Sequence, residues 1–327
     1  MRTVAFVSAL GGVGCTTLVA HSAALLAERG HPVVALELSA QNTLGLYLGM
    51  REQPPTGWHS AVQAGGWLGD AALENADGVR LLAHGPCAVP LPLAAPWLAQ
   101  QLQALDVPDP TVVLLDTPPL PAPLAQQALA CADVVLVVLD AAWRSVYLHA
   151  SLQALLAGLQ PHQRVGMVVT GVDPRSPSRR DALAQLRLQW PGQLLPYVLH
   201  QDEHLPQAQA QGLCVHQMAP YAQAAHDLQG IANWLEQTLA QLPLVRLAAR
   251  RMGLGMQMAR PEWPHWMQPE PPAACPQYHR QRLAGRGDWS FWQVAPGEWH
   301  NRWREPCVEE PLLQLLRRLP ADVYQVD

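Results

Sequence analysis

Gly11-Gly12-Val13-Gly14-Cys15-Thr16-Thr17 follows the apolar run Val4-Ala5-Phe6-Val7 and precedes Leu18 to Arg29, where apolar residues recur at helical spacing up to a glycine at position 30. That order predicts a buried strand, a glycine-rich turn and a helix. Such a turn traps anions, because glycines let the backbone curl until successive amide hydrogens point inward, with the positive end of the helix dipole behind them. Thr16 and Thr17 supply hydroxyls where a phosphate-binding loop holds magnesium. The motif for that loop is G-x-x-x-x-G-K-[ST], and Cys15 occupies the place of its lysine. No lysine occurs anywhere in the 327 residues, so all 21 basic side chains are arginine. The competing reading is a tight turn kept for helix packing. Cys15, at a helix N-terminus, is either an activated thiol or a small residue filling the vacated space.

Moving outward, Pro32 to Glu37 reads as a second buried strand ending in a carboxylate, followed by Leu38-Ser39-Ala40-Gln41-Asn42. Residues 50–77 read as loop and short helix, Val79 to Ala83 as a short strand, and Ala94 to Leu105 as a helix. The run Thr111-Val112-Val113-Leu114-Leu115-Asp116-Thr117-Pro118-Pro119 has the Walker B form, an apolar strand with an aspartate at its carboxyl end that reaches magnesium across from the loop. Strands over Val134 to Leu139, Val165 to Thr170 and Leu195 to Leu199 continue the alternation. Helices are expected around Leu148 to Leu159 and over Asp181 to Gln189, His204 to Gln211 and Tyr221 to Leu239. Strands that are apolar throughout, alternating with helices, predict an α/β protein with a mostly parallel sheet covered on both faces. Ligands of such sheets bind beyond the carboxyl ends of the strands, where the glycine turn and Asp116 both lie.

From residue 243 the character changes. Leu244 to Arg260 is a basic, Met-rich stretch with amphipathic spacing, weakened by Gly253 and Gly255. Pro261 to Pro276 is proline-dense, Trp289 to Val294 with Trp299 suggests a hairpin, and Leu312 to Leu319 a last short helix. Six tryptophans between Trp263 and Trp303 are too many for a solvated linker, since such rings seek a partner surface. The division is therefore a body, 1–242, and an Arg/Pro/Trp-rich docking tail, 243–327. Apolar residues make up 49% of the chain, enough for a sizeable core. A formal charge of −5 without a basic stripe in the first 240 residues argues against a nucleic-acid partner. The six cysteines form no C-x-x-C pair, which speaks for neither zinc nor a disulfide framework and fits a reducing cytoplasm. No signal peptide is read at the N-terminus, and no apolar run reaches bilayer length.

Leu10 to Thr17, together with Asp116-Thr117-Pro118-Pro119, resembles the deviant Walker A ATPases typified by ParA and MinD, P-loop proteins of the SIMIBI type. Within them the chain is most similar to the BcsQ (YhjQ) group of bacterial cellulose operons, whose members tend to lack the loop lysine. The run His200-Gln201-Asp202-Glu203 and the segment ending Gln211-Gly212-Leu213-Cys214-Val215 resemble that group's late loop and helix. The likeness covers about residues 1 to 242. It implies ATP with Mg2+ as ligand, held by Gly11, Gly12, Val13, Gly14, Cys15, Thr16 and Thr17, with Thr16 and Asp116 toward the metal. Thr170 falls where an asparagine often contacts adenine. Asp202 and Glu203 line base and ribose in the family loop, with an exposed helix cap as the alternative. Departures are equally informative: the signature lysine that crosses a dimer interface falls on Leu10, and the carboxylate that orients the attacking water falls on Ser39. Glu37 then serves the second shell of the metal or is structural, and Arg144 either replaces a lost cation or solvates a helix start.

Phosphoryl transfer depends on positioning and charge stabilisation, and one arginine finger alone is worth ~10^3 to 10^5 in rate. Losing both lysines and the carboxylate leaves turnover slow or absent, while backbone donors still bind. The resemblance thus implies a non-catalytic or very slow ATP-binding scaffold of cellulose biosynthesis. Its partners are subunits of the cellulose synthase complex and a second copy over nucleotide, and it is cytoplasmic with peripheral inner-membrane contact. The segment 244–260 lies where MinD-like proteins carry a membrane helix; a packed or partner-bound helix is its other reading. The competing functions are a working partition or positioning ATPase acting on DNA or membrane, and a ligase of the dethiobiotin synthetase type, which shares the fold but needs the loop lysine.

Overall fold

The computed structural model describes residues 1–242, apart from 88–90, 92, 106 and 109, and three short strands further on. In chain order the body runs β1 (Arg2–Val7), α1 (Cys15–Glu28), β2 (Val33–Glu37), α2 (Leu44–Tyr47), α3 (Trp58–Gln63), a 3-10 turn (Leu68–Ala71), β3 (Leu73–Asn75), β4 (Val79–Leu82), α4 (Trp97–Ala104), β5 (Val112–Asp116), α5 (Pro123–Cys131), β6 (Val134–Asp140), α6 (Trp143–Val146), α7 (His149–Ala157), β7 (Arg164–Val172), α8 (Pro177–Gln189), β8 (Leu194–His200), α9 (His204–Ala210), α10 (Val215–Met218) and α11 (Gln223–Gln241).

Within the body the sheet order is β8-β7-β6-β1-β5-β2-β4-β3, parallel except for the antiparallel pair of β3 with β4. The expected α/β architecture is what the chain adopts. Successive strand residues face opposite ways and both faces are apolar, so each strand feeds two cores. Val4, Phe6, Ala35, Leu114 and Leu136 pack against α1 and α11 through Leu18, Leu26, Leu228 and Ile231. Ala5, Val7, Leu36, Leu115 and Val137 pack on the other side with Leu98 of α4, Ala128 of α5 and Leu186 of α8. Each large aliphatic side chain taken fully from water is worth about 1.5–3 kcal/mol, and this double core holds the strand ends in place.

The carboxyl ends of β1, β5 and β2 lie side by side, in the register Phe6↔Asp116↔Glu37. Chain order reverses about β1, whose two neighbours, β5 and β6, both come from later in the sequence. That reversal opens a crevice at the loop between β1 and α1.

Five elements of the body escape the sequence reading: α2, α5, α6, α10 and the short strand β3. Helix α8 also begins four residues earlier than expected, because Pro177 is compatible with a first helical turn. Beyond the body, Tyr278–Arg280 (β9) pairs antiparallel with β3, while Phe291–Ala295 (β10) and Glu298–Asn301 (β11) form the antiparallel pair read as a hairpin. The stretches 244–260, 261–276 and 312–319 lie outside the described residues. Among the described residues no helix is long and apolar enough to cross a membrane.

Candidate functional site

The glycine loop joins β1 to α1 as a curled main chain. Gly12 (φ 70°) and Gly14 (φ 97°) take the left-handed conformation that costs other residues about 1–2 kcal/mol each. Gly14 caps α1, and no side chain bonds the amides of its first turn, so those donors remain for an anion. The curl is braced from three directions. The Leu10 amide donates to Ser8 Oγ (3.2 Å), the Leu120 amide to the Ser8 carbonyl (2.8 Å), and Thr170 Oγ1 to the Val13 carbonyl (2.6 Å). The loop opens on a cavity of about 350 Å³ whose walls are Gly12 to Gly14, Thr17 and Tyr47 on one side, and Thr170, 199–203, Pro206 and Gln209 on the other.

Behind the loop stand two carboxyl groups. Asp116 and Glu37 end neighbouring parallel strands in register, so their side chains project to the same side, and both are fully buried. Asp116 Oδ2 accepts the Thr16 hydroxyl (2.8 Å), and Glu37 Oε1 accepts the Thr43 and Leu44 amides (2.5 and 2.9 Å). Asp116 Oδ1 and Glu37 Oε2 have no hydrogen-bond partner. Burial, then the neighbouring Glu37, raises the Asp116 carboxyl to about 8; burial raises Glu37 to about 7 against its amide bonds. A buried carboxylate oxygen without a partner is costly, and a divalent cation is the group that relieves two of them at once. The Thr16 hydroxyl, Asp116 and Glu37 therefore fit magnesium, Asp116 toward the cation and Glu37 behind it. Among the described residues no three His, Cys, Asp or Glu side chains cluster as a protein-only metal site, so such a cation needs ligand or water oxygens as well. Cys15 is not an activated thiol. Burial and the nearby Asp116 push its proton affinity far up, which corrects that alternative and leaves the filling role.

Other residues singled out from the sequence are placed less directly. Thr170 lines the cavity, but its hydroxyl donates to the Val13 and Leu139 carbonyls, so it buttresses the loop. Asp202 also lines the wall. Its Oδ1 accepts from the His204 amide (2.9 Å) and faces His204 Nδ1 (2.7 Å), and its Oδ2 accepts the Ala224 amide (3.0 Å), the pattern of a helix cap. Arg144 is held by Asp140, with 2.6 Å from Nε to Oδ2, and does not line the cavity. Ser39 is buried and accepts the Gln41 amide at 3.4 Å. Leu10 packs against the core on the α1 side. Several wall residues were missed as such, His200 and Tyr47 among them. His200, whose ring and amide both meet Asp227 Oδ2 at 2.8 Å, was read only as part of a family run. Tyr47, which accepts the Thr17 hydroxyl (3.2 Å), sits on a four-residue helix too short to leave a periodic signal.

The geometry has counterparts in known proteins. Residues 1–235 match the family model described as cellulose biosynthesis protein BcsQ. The chromosome-partitioning ATPase Soj of Thermus thermophilus is 30% identical over 239 residues, covering 71% of this chain and 94% of Soj. The cellulose biosynthesis protein BcsQ of Salmonella typhimurium is 27% identical over 237 residues, covering 68% and 90%. In fold, the chain is similar to the septum site-determining protein MinD of Pyrococcus horikoshii, solved with Mg-ADP, at a TM-score of 0.61 and 19% identity over 75% of this chain and 99% of that one. With the glycine loop, the Walker B aspartate and the sheet order already in place, the chain belongs to the family that this model describes, within the ParA/MinD superfamily of P-loop proteins.

Proposed function

We propose that this chain is a nucleotide-binding scaffold of bacterial cellulose biosynthesis that hydrolyses ATP very slowly or not at all, and that it helps assemble or position the synthase complex. One observation carries the reading: a braced, glycine-built anion cradle beside two buried carboxyls, in a chain that has no lysine. The amides of the loop and of the first turn of α1 bind phosphate oxygens, and the walls at 199–203, Pro206 and Gln209 enclose the rest of the nucleotide. Thr16 and Asp116 would hold magnesium, which would neutralise phosphate charge. No side chain at Ser39 holds a water for attack, and no ammonium offsets charge at the transferring group.

In this reading residues 1–242 are the nucleotide-binding body, and the Trp-rich segment 243–327 docks a cellulose synthase subunit at the cytoplasmic face of the inner membrane. A second copy closes over the nucleotide. The word cellulose comes from the family match and the BcsQ relatives. Calorimetry with MgATP and a phosphate-release assay on the same sample test the proposal. Saturable binding without multiple turnover supports it, and brisk steady release of phosphate sinks it.

The 30% identity to Soj favours a second reading, a working positioning ATPase. That activity requires turnover stimulated by DNA or by liposomes, so adding each to the same assay separates the two.

A further inference from the structure

Tyr47 closes α2, and the placement of that helix is not left to its own four residues. Glu37 Oε1 accepts the amides that open it, those of Thr43 and Leu44, so the carboxyl behind the loop also fixes where the helix points. At the other end the Tyr47 carbonyl accepts the Cys214 thiol at 3.7 Å. Its ring stands edge-on to His21, centroids 6.2 Å apart at 68°, and His21 is itself fixed between the Thr17 carbonyl (2.7 Å) and the Val215 amide (3.1 Å). The phenol is thereby held against the glycine loop with little freedom to leave.

The direction of its hydrogen bond gives this placement chemical meaning. Thr17 and Tyr47 share one hydroxyl–hydroxyl bond, and with Thr17 as its donor the phenol proton is free to turn to an anion in the cavity beside Gly12 and Gly14. Burial raises the phenol above its ordinary value, so it remains a neutral donor throughout the physiological range. No arginine lines this cavity among the described residues, and Thr170, the next hydroxyl along the wall, donates to carbonyls of the chain. A loop that must hold phosphate without an ammonium thus has a fixed hydroxyl donor on its own side of the cavity, opposite the wall that carries His200, Gln201 and Gln209.

We propose that Tyr47 is a phosphate-binding residue, its hydroxyl donating to an oxygen of the anion cradled by the glycine loop in partial replacement of the missing lysine. The inference rests on the nucleotide reading above and adds a specific ligand to it. A phenol donating to a phosphate oxygen makes a hydrogen bond with one charged partner but brings no positive charge of its own, so it replaces the missing ammonium only in part.

Tyr47→Phe keeps the ring and its packing on His21 and removes only the hydroxyl. Calorimetry on the full chain with two probes, MgADP and inorganic pyrophosphate with magnesium, reads the effect alongside the thermal midpoint. The expected result is a loss of about 10-fold or more in affinity, the same factor for both probes, with the midpoint little changed. Unchanged affinities in a wild-type chain that binds both probes overturn the role of Tyr47 and leave the nucleotide reading standing. A loss confined to MgADP, or a wild-type chain that binds MgADP and not pyrophosphate, moves the contact to the nucleoside and also overturns it. A wild-type chain that binds neither probe removes the nucleotide reading and this one together.

Discussion

The loops that leave β1 and β2 flank the same aspartate, and they have fared differently. At the β1 end the curl of Gly11 to Gly14, the cap at Gly14 and the donors of α1 are intact, although the lysine is absent. At the β2 end the side chain expected to orient water is a serine, and the remaining polar groups shape the loop. Asn42, at φ 55°, accepts the Gly85 amide (2.9 Å) and donates to the Pro54 carbonyl (3.3 Å), and Glu37 anchors α2. An anion site built from main chain outlasts the loss of its charged side chain, because its donors are set by backbone angles that glycine alone maintains. A hydrolytic site built from side chains ends with them. Cys15 and Ser39 therefore mark separable losses, one of grip and one of chemistry.

Restoring the first should give the largest change. Cys15→Lys returns an ammonium to the loop, beside Asp116, and charge-assisted hydrogen bonds are worth about 1.5–3 kcal/mol, so affinity for MgATP should rise ~10- to 100-fold by calorimetry. Phosphate release should stay slow in that variant and increase only when Ser39→Asp is added. If Cys15→Lys alone gave full turnover, the contrast between the two loops would be misplaced.

Breaking the curl is expected to cost less in free energy but to act on binding and stability together. Gly14→Ala meets no hard clash, its added Cβ lying 3.8 Å from the Thr170 methyl, so the cost comes from the left-handed backbone. That amounts to about 1–2 kcal/mol of stability by urea unfolding, with nucleotide affinity falling as the loop relaxes. Equal stability of variant and parent would mean that the loop does not hold this conformation in solution.

The carboxyl pair makes a pH-dependent prediction. Asp116, raised to about 8, and Glu37, raised to about 7, keep protons in the folded chain where the unfolded chain has lost them. The folded state binds more protons between about pH 4 and 8, so their contribution to stability is full below that window and falls as pH rises through it, by at most ~1.4 kcal/mol per pH unit for each proton retained. Glu37→Gln removes one of the two groups. Its thermal midpoint relative to wild type should improve from pH 5 to pH 8, and magnesium with nucleotide should shrink the difference. A constant offset across that range would show that the two carboxyls do not compete for charge.

Legibility follows the same division between contiguous signals and spatial ones. The glycine loop and the strand ending in Asp116 could be read because their spacing along the chain is the motif. Uniformly apolar strands disclosed a sheet covered on both sides for the same local reason. Helix α5 drew no reading from the sequence: it is nine residues long and opens on Pro123, which sits in the first turn, where a missing amide hydrogen costs nothing. Strand β3 has three residues, too few for alternation to register. The support that Thr170 gives to Val13, across 157 residues, and the meeting of Tyr47 with Thr17 are products of folding with no local pattern.

The smallest expected effect concerns the cation that lies near the crevice and does not serve it. Arg144 ends on Asp140, one turn before it in sequence, with its side chain about half exposed (51%) and the pair open to solvent screening. Pairs open to solvent contribute about 0.2–1 kcal/mol; here the arginine side is open, and the buried Asp140 keeps the Ser145 hydroxyl as a second partner when Arg144 is removed. Arg144→Ala should therefore lower stability by less than about 1 kcal/mol and leave the affinity for MgADP unchanged, whereas Tyr47→Phe changes that affinity with little cost in stability. A several-fold loss of MgADP affinity in Arg144→Ala would mean that the guanidinium exchanges Asp140 for phosphate when the ligand arrives. The cradle would then be supplemented by a borrowed cation, and main chain alone would no longer account for its grip.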